Sequence, residues 1–238
     1  MSLRRTLLLA GCSFCAAALP LAGAAQESEP ARKAPRHEEA PPPAGEAPTL
    51  KGLLAGFARV PGLFARFREE KRIGLLAEPL VNEGTLHYMP PGRVARHVLR
   101  PSRQTVLIDG DRLLLGDGRR EQRVDLERNP VLRHFLDGFL KVLAGDEEAL
   151  RTAYELRFQG APGGRWSLEL RPRRSPMKDA IGRIAFRGRG LVVERLTIAE
   201  TNGDVSVTTF RDVNPHKTYS PAEAARVFRL PERREEPR

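Results

Sequence analysis

Cysteine is almost missing from this chain. There are two, Cys12 and Cys15, and both fall in a leader that the sequence predicts is removed, which leaves no thiol. That excludes a disulfide scaffold, a zinc finger, an iron–sulfur site and a cysteine nucleophile. Aromatics make up only 6%, with one tryptophan, so few rings interleave with the arginines as a nucleic-acid face would require. No nucleophile elbow and no phosphate loop occurs. The five histidines, His37, His87, His97, His134 and His216, show no ligand spacing, so neither a metal nor a cofactor is expected. Beyond the leader no apolar run approaches the ~18 residues of a membrane span. A length of 238 residues excludes a large multidomain enzyme.

What is present begins with the leader. Arg4 and Arg5 precede an apolar run from Thr6 to Leu21, broken by Pro20, and then Ala22, Gly23, Ala24 and Ala25. Charged, apolar, then small is the order of a secretory signal peptide. The reading is residues 1–24, cleaved near Ala24, with the remainder in the periplasm. Leu9-Ala10-Gly11-Cys12 offers a rival, lipidation at Cys12, but the apolar stretch before it is short and continues past it. Arg4-Arg5-Thr6-Leu7-Leu8 also resembles a twin-arginine signal weakly. Residues 25–48 hold six prolines and no large apolar residue, so they read as a disordered linker that cannot bury enough surface to offset its ordering entropy. One domain is expected over 49–231, and 232–238 is a charged tail.

Within that domain Thr49 is a candidate N-cap for a helix over 50–59, with Leu50, Leu53, Leu54 and Phe57 at helical spacing. A second helix is predicted over 129–142, capped by Asn129 with Pro130 in its first turn. One further turn is expected at Glu147–Arg151. Short strands separated by turns fill the rest, beginning at Phe64–Arg68 and including a last one at Val227–Leu230 after a helical turn at 221–226. Asp109, Asp111 and Asp117 read as turn residues, and Glu69-Glu70 as a solvated strand end. The fold class is therefore α+β: about ten or eleven antiparallel strands in one strongly curved sheet, a half-barrel whose concave face is plugged by helices.

The order of motifs from Phe64 to Leu115 resembles the outer-membrane lipoprotein carrier family, LolA. Phe64…Phe67-Arg68-Glu69-Glu70 is followed by Glu83-Gly84-Thr85-Leu86-His87-Tyr88, then Pro90-Pro91-Gly92-Arg93-Val94, then Pro101 and Leu107-Ile108-Asp109-Gly110-Asp111. Leu168–Pro172, Phe210–Asn214 and Phe228–Pro231 resemble the family's later strands more loosely, so the likeness spans about residues 50–231. It implies a half-open barrel under a helical lid. The interior takes up lipoprotein acyl chains from an inner-membrane donor and passes them towards an outer-membrane acceptor. No enzymatic activity, a monomeric state and no nucleic-acid partner are expected. The alternative is a lipid-sensing or regulatory domain of the same fold that docks a membrane partner; an exported hydrolase is a distant third.

Candidate cavity residues are Leu53, Phe57, Phe64, Leu86, Val94, Val98, Val106, Ile108, Phe135, Phe139, Trp166, Leu168 and Leu170, each of which could equally be ordinary core. The family's carriers place a basic latch residue before the proline that follows the G-x-L strand; here Pro90 stands there. Arg96 lies at strand spacing on the inward face and could substitute as the latch, although the rarity of buried charge favours a rim position with its head in water. The chain is basic, with a formal net charge of +10, and Arg171, Arg173, Arg174, Lys178, Arg183, Arg187, Arg189 and Arg195 fall within 25 residues. They form either a docking face for anionic headgroups or an acidic partner, or simply a soluble surface.

Overall fold

The computed structural model describes residues 47–231, apart from Asp111, Glu127 and the side chains of Phe135 and Phe139. The leader, Cys12, nearly all of the linker and the charged tail lie outside the described residues.

Helix α1 (Leu50–Phe57) opens the fold, and the Gly52 N–H donates to Thr49 Oγ1 at its N-terminus over 3.1 Å. Six strands follow: β1 (Leu63–Arg72), β2 (Leu80–Met89), β3 (Arg93–Arg100), β4 (Gln104–Asp109), β5 (Arg112–Gly116) and β6 (Glu121–Asp125). Helix α2 (Pro130–Ala144) is capped by Asn129, and Gly145 ends it at φ 70°. Helix α3 (Glu147–Ala153) is longer than the single turn expected. Then come β7 (Tyr154–Ala161), β8 (Arg165–Pro172), a short helix α4 (Met177–Ala180) that the sequence had not signalled, β9 (Ile181–Arg189), β10 (Val192–Glu200), β11 (Val205–Asn214) and helix α5 (Pro221–Val227).

All eleven strands join one sheet in the order β6-β5-β4-β3-β2-β1-β11-β10-β9-β8-β7, with every paired neighbour antiparallel. The edges β6 and β7 do not pair, so the sheet is open. The chain walks outward from β1 to β6, crosses through α2 and α3 to the far edge, and walks back to β11 beside β1. A crossing from edge to edge must traverse a face of the sheet, and amphipathic helices can do so while burying their apolar stripe.

That face carries the core. Leu53, Leu54 and Phe57 of α1 cluster with Trp166, Leu168, Leu170, Ile184 and Phe186 of β8 and β9. Leu132, Leu136 and Leu143 of α2 cluster with Leu63, Ala65, Tyr88, Val94, Val106 and Ile108 of β1–β4. The opposite face is covered over β1–β3 by the C-terminal segment. There Tyr219 Oη donates to the Leu63 carbonyl (2.8 Å) and meets His87 Nδ1 (3.1 Å), while His97 Nε2 meets the Val227 carbonyl (3.0 Å).

Two expectations need correction here. No strand forms at Val227–Leu230: Val227 closes α5, and Phe228 packs edge-on against Tyr219 at 5.3 Å instead of joining the sheet. Glu69-Glu70 is no solvated strand end, because β1 runs on to Arg72 and buries Glu69.

Candidate functional site

Between the two helices and the sheet lies an apolar cavity of about 40 Å³. It sits on the seam between the two core clusters. The helices contribute Phe57, Val142 and Leu143. One half of the sheet contributes Leu63, Ala65, Leu86, Tyr88 and Val94; the other contributes Trp166, Leu168, Phe186, Val193, Leu196, Phe210 and Val213. Alternation explains most of the set, since every second residue of a strand faces the helices; Val193 with Leu196, and Phe210 with Val213, share that side because the register shifts between them. Phe57 meets Trp166 edge-on, with ring centroids 6.0 Å apart, an arrangement favoured by the ring quadrupoles. The indole N–H is satisfied by the Gly190 carbonyl at 2.8 Å.

The helices are seated closely. Gly138 of α2 lies against the Tyr154 hydroxyl, where a Cβ would collide with it. That hydroxyl donates to the His134 carbonyl at 3.2 Å, and burial pushes it up to about 12. Gly145 abuts the Leu54 carbonyl of α1, so the α2 terminus needs glycine for both its backbone angle and its clearance. At about 40 Å³ the cavity has room for water-sized occupants, far short of the ~300 Å³ at which ligand pockets begin.

Of the residues singled out from the sequence, Phe57, Leu86, Val94, Trp166 and Leu168 line the cavity. Leu53, Leu170, Val98, Val106 and Ile108 are buried but do not line it. Phe64 is misplaced: its neighbours Leu63 and Ala65 face the helices, whereas its own ring turns to the other face and packs on His87 at 5.2 Å. The side chains of Phe135 and Phe139 lie outside the described residues.

Arg96 is not at a rim in water. It is 5% exposed, donates to Glu69 Oε2 at 2.8 Å, and lies 4.3 Å from the centre of the Phe67 ring. The pair ties β3 to β1 across β2. Farther along the same face buried Lys71 pairs with half-buried Glu200 at 3.0 Å.

The basic cluster divides. Arg171, Arg183, Arg187 and Arg195 line a groove of about 420 Å³ on the face away from the helices, together with Arg157. Arg173 leaves the group and donates to the carbonyls of Arg151 and Tyr154. Arg174, Lys178 and Arg189 are exposed outside the groove.

Residues 43–224 match the family described as outer membrane lipoprotein carrier protein LolA-like. The chain belongs to this family. No curated protein matches it. Among solved structures, a LolA superfamily protein from Nitrosomonas europaea is similar at 11% identity and a TM-score of 0.40, covering 75% of this chain and 97% of that one. A DUF1329 family protein from Desulfovibrio piger gives 11% and 0.42, with 75% and 96% covered. MucB in the Pseudomonas aeruginosa MucA/MucB complex gives 16% and 0.42, with 73% and 59% covered.

Several lining residues escaped the sequence reading. Tyr88, Phe186, Leu196 and Phe210 stand in alternating strands, and that alternation was legible; what was missing was which strands meet beneath α1 and α2.

Proposed function

We propose that this LolA-like protein is an exported carrier. It takes acyl chains of lipoproteins or other lipids between α1, α2 and the sheet, and passes them towards the outer membrane. In this reading the helix-covered face is the concave one, and α1 and α2 are the lids. The observation that carries it is the apolar cavity enclosed where both helices and both halves of the sheet converge. Each methylene buried there contributes about 0.8 kcal/mol, so binding needs no catalytic group. Because the closed cavity is too small for a chain, uptake requires the helices to lift, and their re-closure expels cargo. Pro90 offers no side-chain donor to hold a lid, and we assign the Arg96–Glu69 pair to bracing β1 against β3.

The test is native mass spectrometry of the protein purified from its own periplasm, followed by lipid extraction. Bound acyl lipid or acylated peptide is the expected result. An empty protein that also ignores a fluorescent fatty-acid probe overturns the reading. A second reading, a lipid-sensing domain that docks a membrane partner, draws on the arginine groove lying on the face away from the cavity; a stable complex with such a partner would favour it.

A further inference from the structure

The arginine groove is built by strands rather than by a loop. Along one row, Ser167 of β8 pairs with Arg187 of β9, Arg187 pairs with Arg195 of β10, and Arg195 pairs with Thr209 of β11. In the adjacent row, Arg157, Glu169, Ala185 and Thr197 follow in register. Small side chains, Ser167, Ala185 and Thr197, thus form a floor, and arginines stand around it.

The charge on this floor is not balanced. Glu169 is shared between Arg171 at 2.7 Å and Arg183 at 3.6 Å. Glu155 takes Arg157 at 3.3 Å. Among the described residues neither Arg187 nor Arg195 lies within ion-pair distance of a carboxylate, although they sit directly opposite each other. Like charges directly opposite on neighbouring strands are destabilising. A fold that pairs two exposed arginines across neighbouring strands, over a floor of small side chains, has the electrostatics of a site awaiting an anion.

The kind of anion follows from the lining. Protein interfaces centre on desolvated anchors, most often Trp, Tyr and Arg, whereas this groove has no Trp or Tyr and its arginines are all exposed. Apart from Leu168 and Phe186, which are packed in the helix-covered core, the groove is lined by guanidinium, hydroxyl, amide and carboxylate groups and the Ala185 methyl. Guanidinium forks fit phosphate oxygens bidentately, and arginines near an anionic bilayer each add affinity for it. We propose that the groove lined by Arg157, Arg171, Arg183, Arg187 and Arg195 docks the protein on the phosphate headgroups of an anionic phospholipid bilayer. The inference does not rest on the cavity, so an empty cavity and a failed groove are separable results.

The experiment is vesicle co-sedimentation of the whole protein at low salt. Phosphatidylglycerol–phosphatidylcholine vesicles are compared with pure phosphatidylcholine. The variant is Arg187→Ser with Arg195→Ser. The control, Arg119→Ser with Arg123→Ser, removes the same charge at the β6 edge. At roughly fivefold per arginine, the groove variant should bind the anionic vesicles about 25-fold more weakly, with the control nearly unchanged. Thermal stability of the groove variant should hold or rise, because two like charges at paired strand positions are removed. Equal loss in both variants shows a response to net charge alone and overturns the proposal. So does the absence of binding to anionic vesicles, binding of inorganic pyrophosphate without vesicles, or binding of an acidic peptide in their place.

Discussion

Leu54→Ala should make the protein less stable and yet better at binding an acyl probe. Leu54 is 1% exposed and packs α1 into the core without lining the cavity. Truncating a buried leucine costs about 2–5 kcal/mol. For a domain of this size each kcal/mol lowers the midpoint by about 2–4 °C, so melting should fall by at least about 4 °C. If α1 is a lid, much of that loss falls on the closed state. The apparent affinity of a ligand is set by the fraction of molecules in the competent, open form. A shift of about 2 kcal/mol is about 30-fold in that fraction. Titration of a fluorescent fatty acid well below the melting point, with calorimetry alongside, measures both numbers. An affinity that falls together with stability would refute the reasoning, because it would make α1 a fixed wall of the core.

Four further outcomes follow from the geometry. Arg96→Met removes the guanidinium that faces buried Glu69 and should cost about 3–5 kcal/mol, while adding Glu69→Leu should restore most of it; denaturant unfolding of the single and double variants checks this. Gly84→Ala should destabilise by at least about 1–3 kcal/mol, since the new Cβ would collide with the His97 carbonyl across the β2–β3 pair; the same unfolding assay reads it. His87 is held down to about 4, first by burial and then by neighbouring His97, whose ring lies 5.5 Å away, and burial lowers His97 too. Both are therefore neutral in the fold, and their contribution should be lost as pH falls below about 6.5. The loss attributable to His87 should be about 1 kcal/mol at pH 5 after solvent screening, read as a drop in melting midpoint between pH 7 and 5 that His87→Gln reduces. Leu75→Ser should leave melting unchanged within about 0.5 kcal/mol, because that side chain is 94% exposed at the β1–β2 turn.

Local chemistry determined a large part of this protein from its sequence. Thr49 and Asn129 cap the two helices because a side-chain oxygen beside an apolar 3.6-residue stripe has free N–H groups to satisfy. Gly145 stops α2 because only glycine takes that backbone angle at so close an approach. Alternation marked most strands, and the order of motifs marked the family. Phe228 misled the reading, since an aromatic after a short helix has the same pattern whether it joins a sheet or folds back onto Tyr219.

Tertiary structure decided everything that depends on which strands become neighbours. Period-two alternation separates two faces but does not say which one the helices cover, so Phe64 and Leu63 exchange roles with a shift of one residue. Arg96 could be buried only because β2 places Glu69 within reach, 27 residues earlier in the chain. Arg157 joined Arg187 and Arg195 only through the β7–β8–β9–β10 register. A sheet closes its contacts across long stretches of chain, and those distances are set by pairing, which no local stretch of sequence encodes.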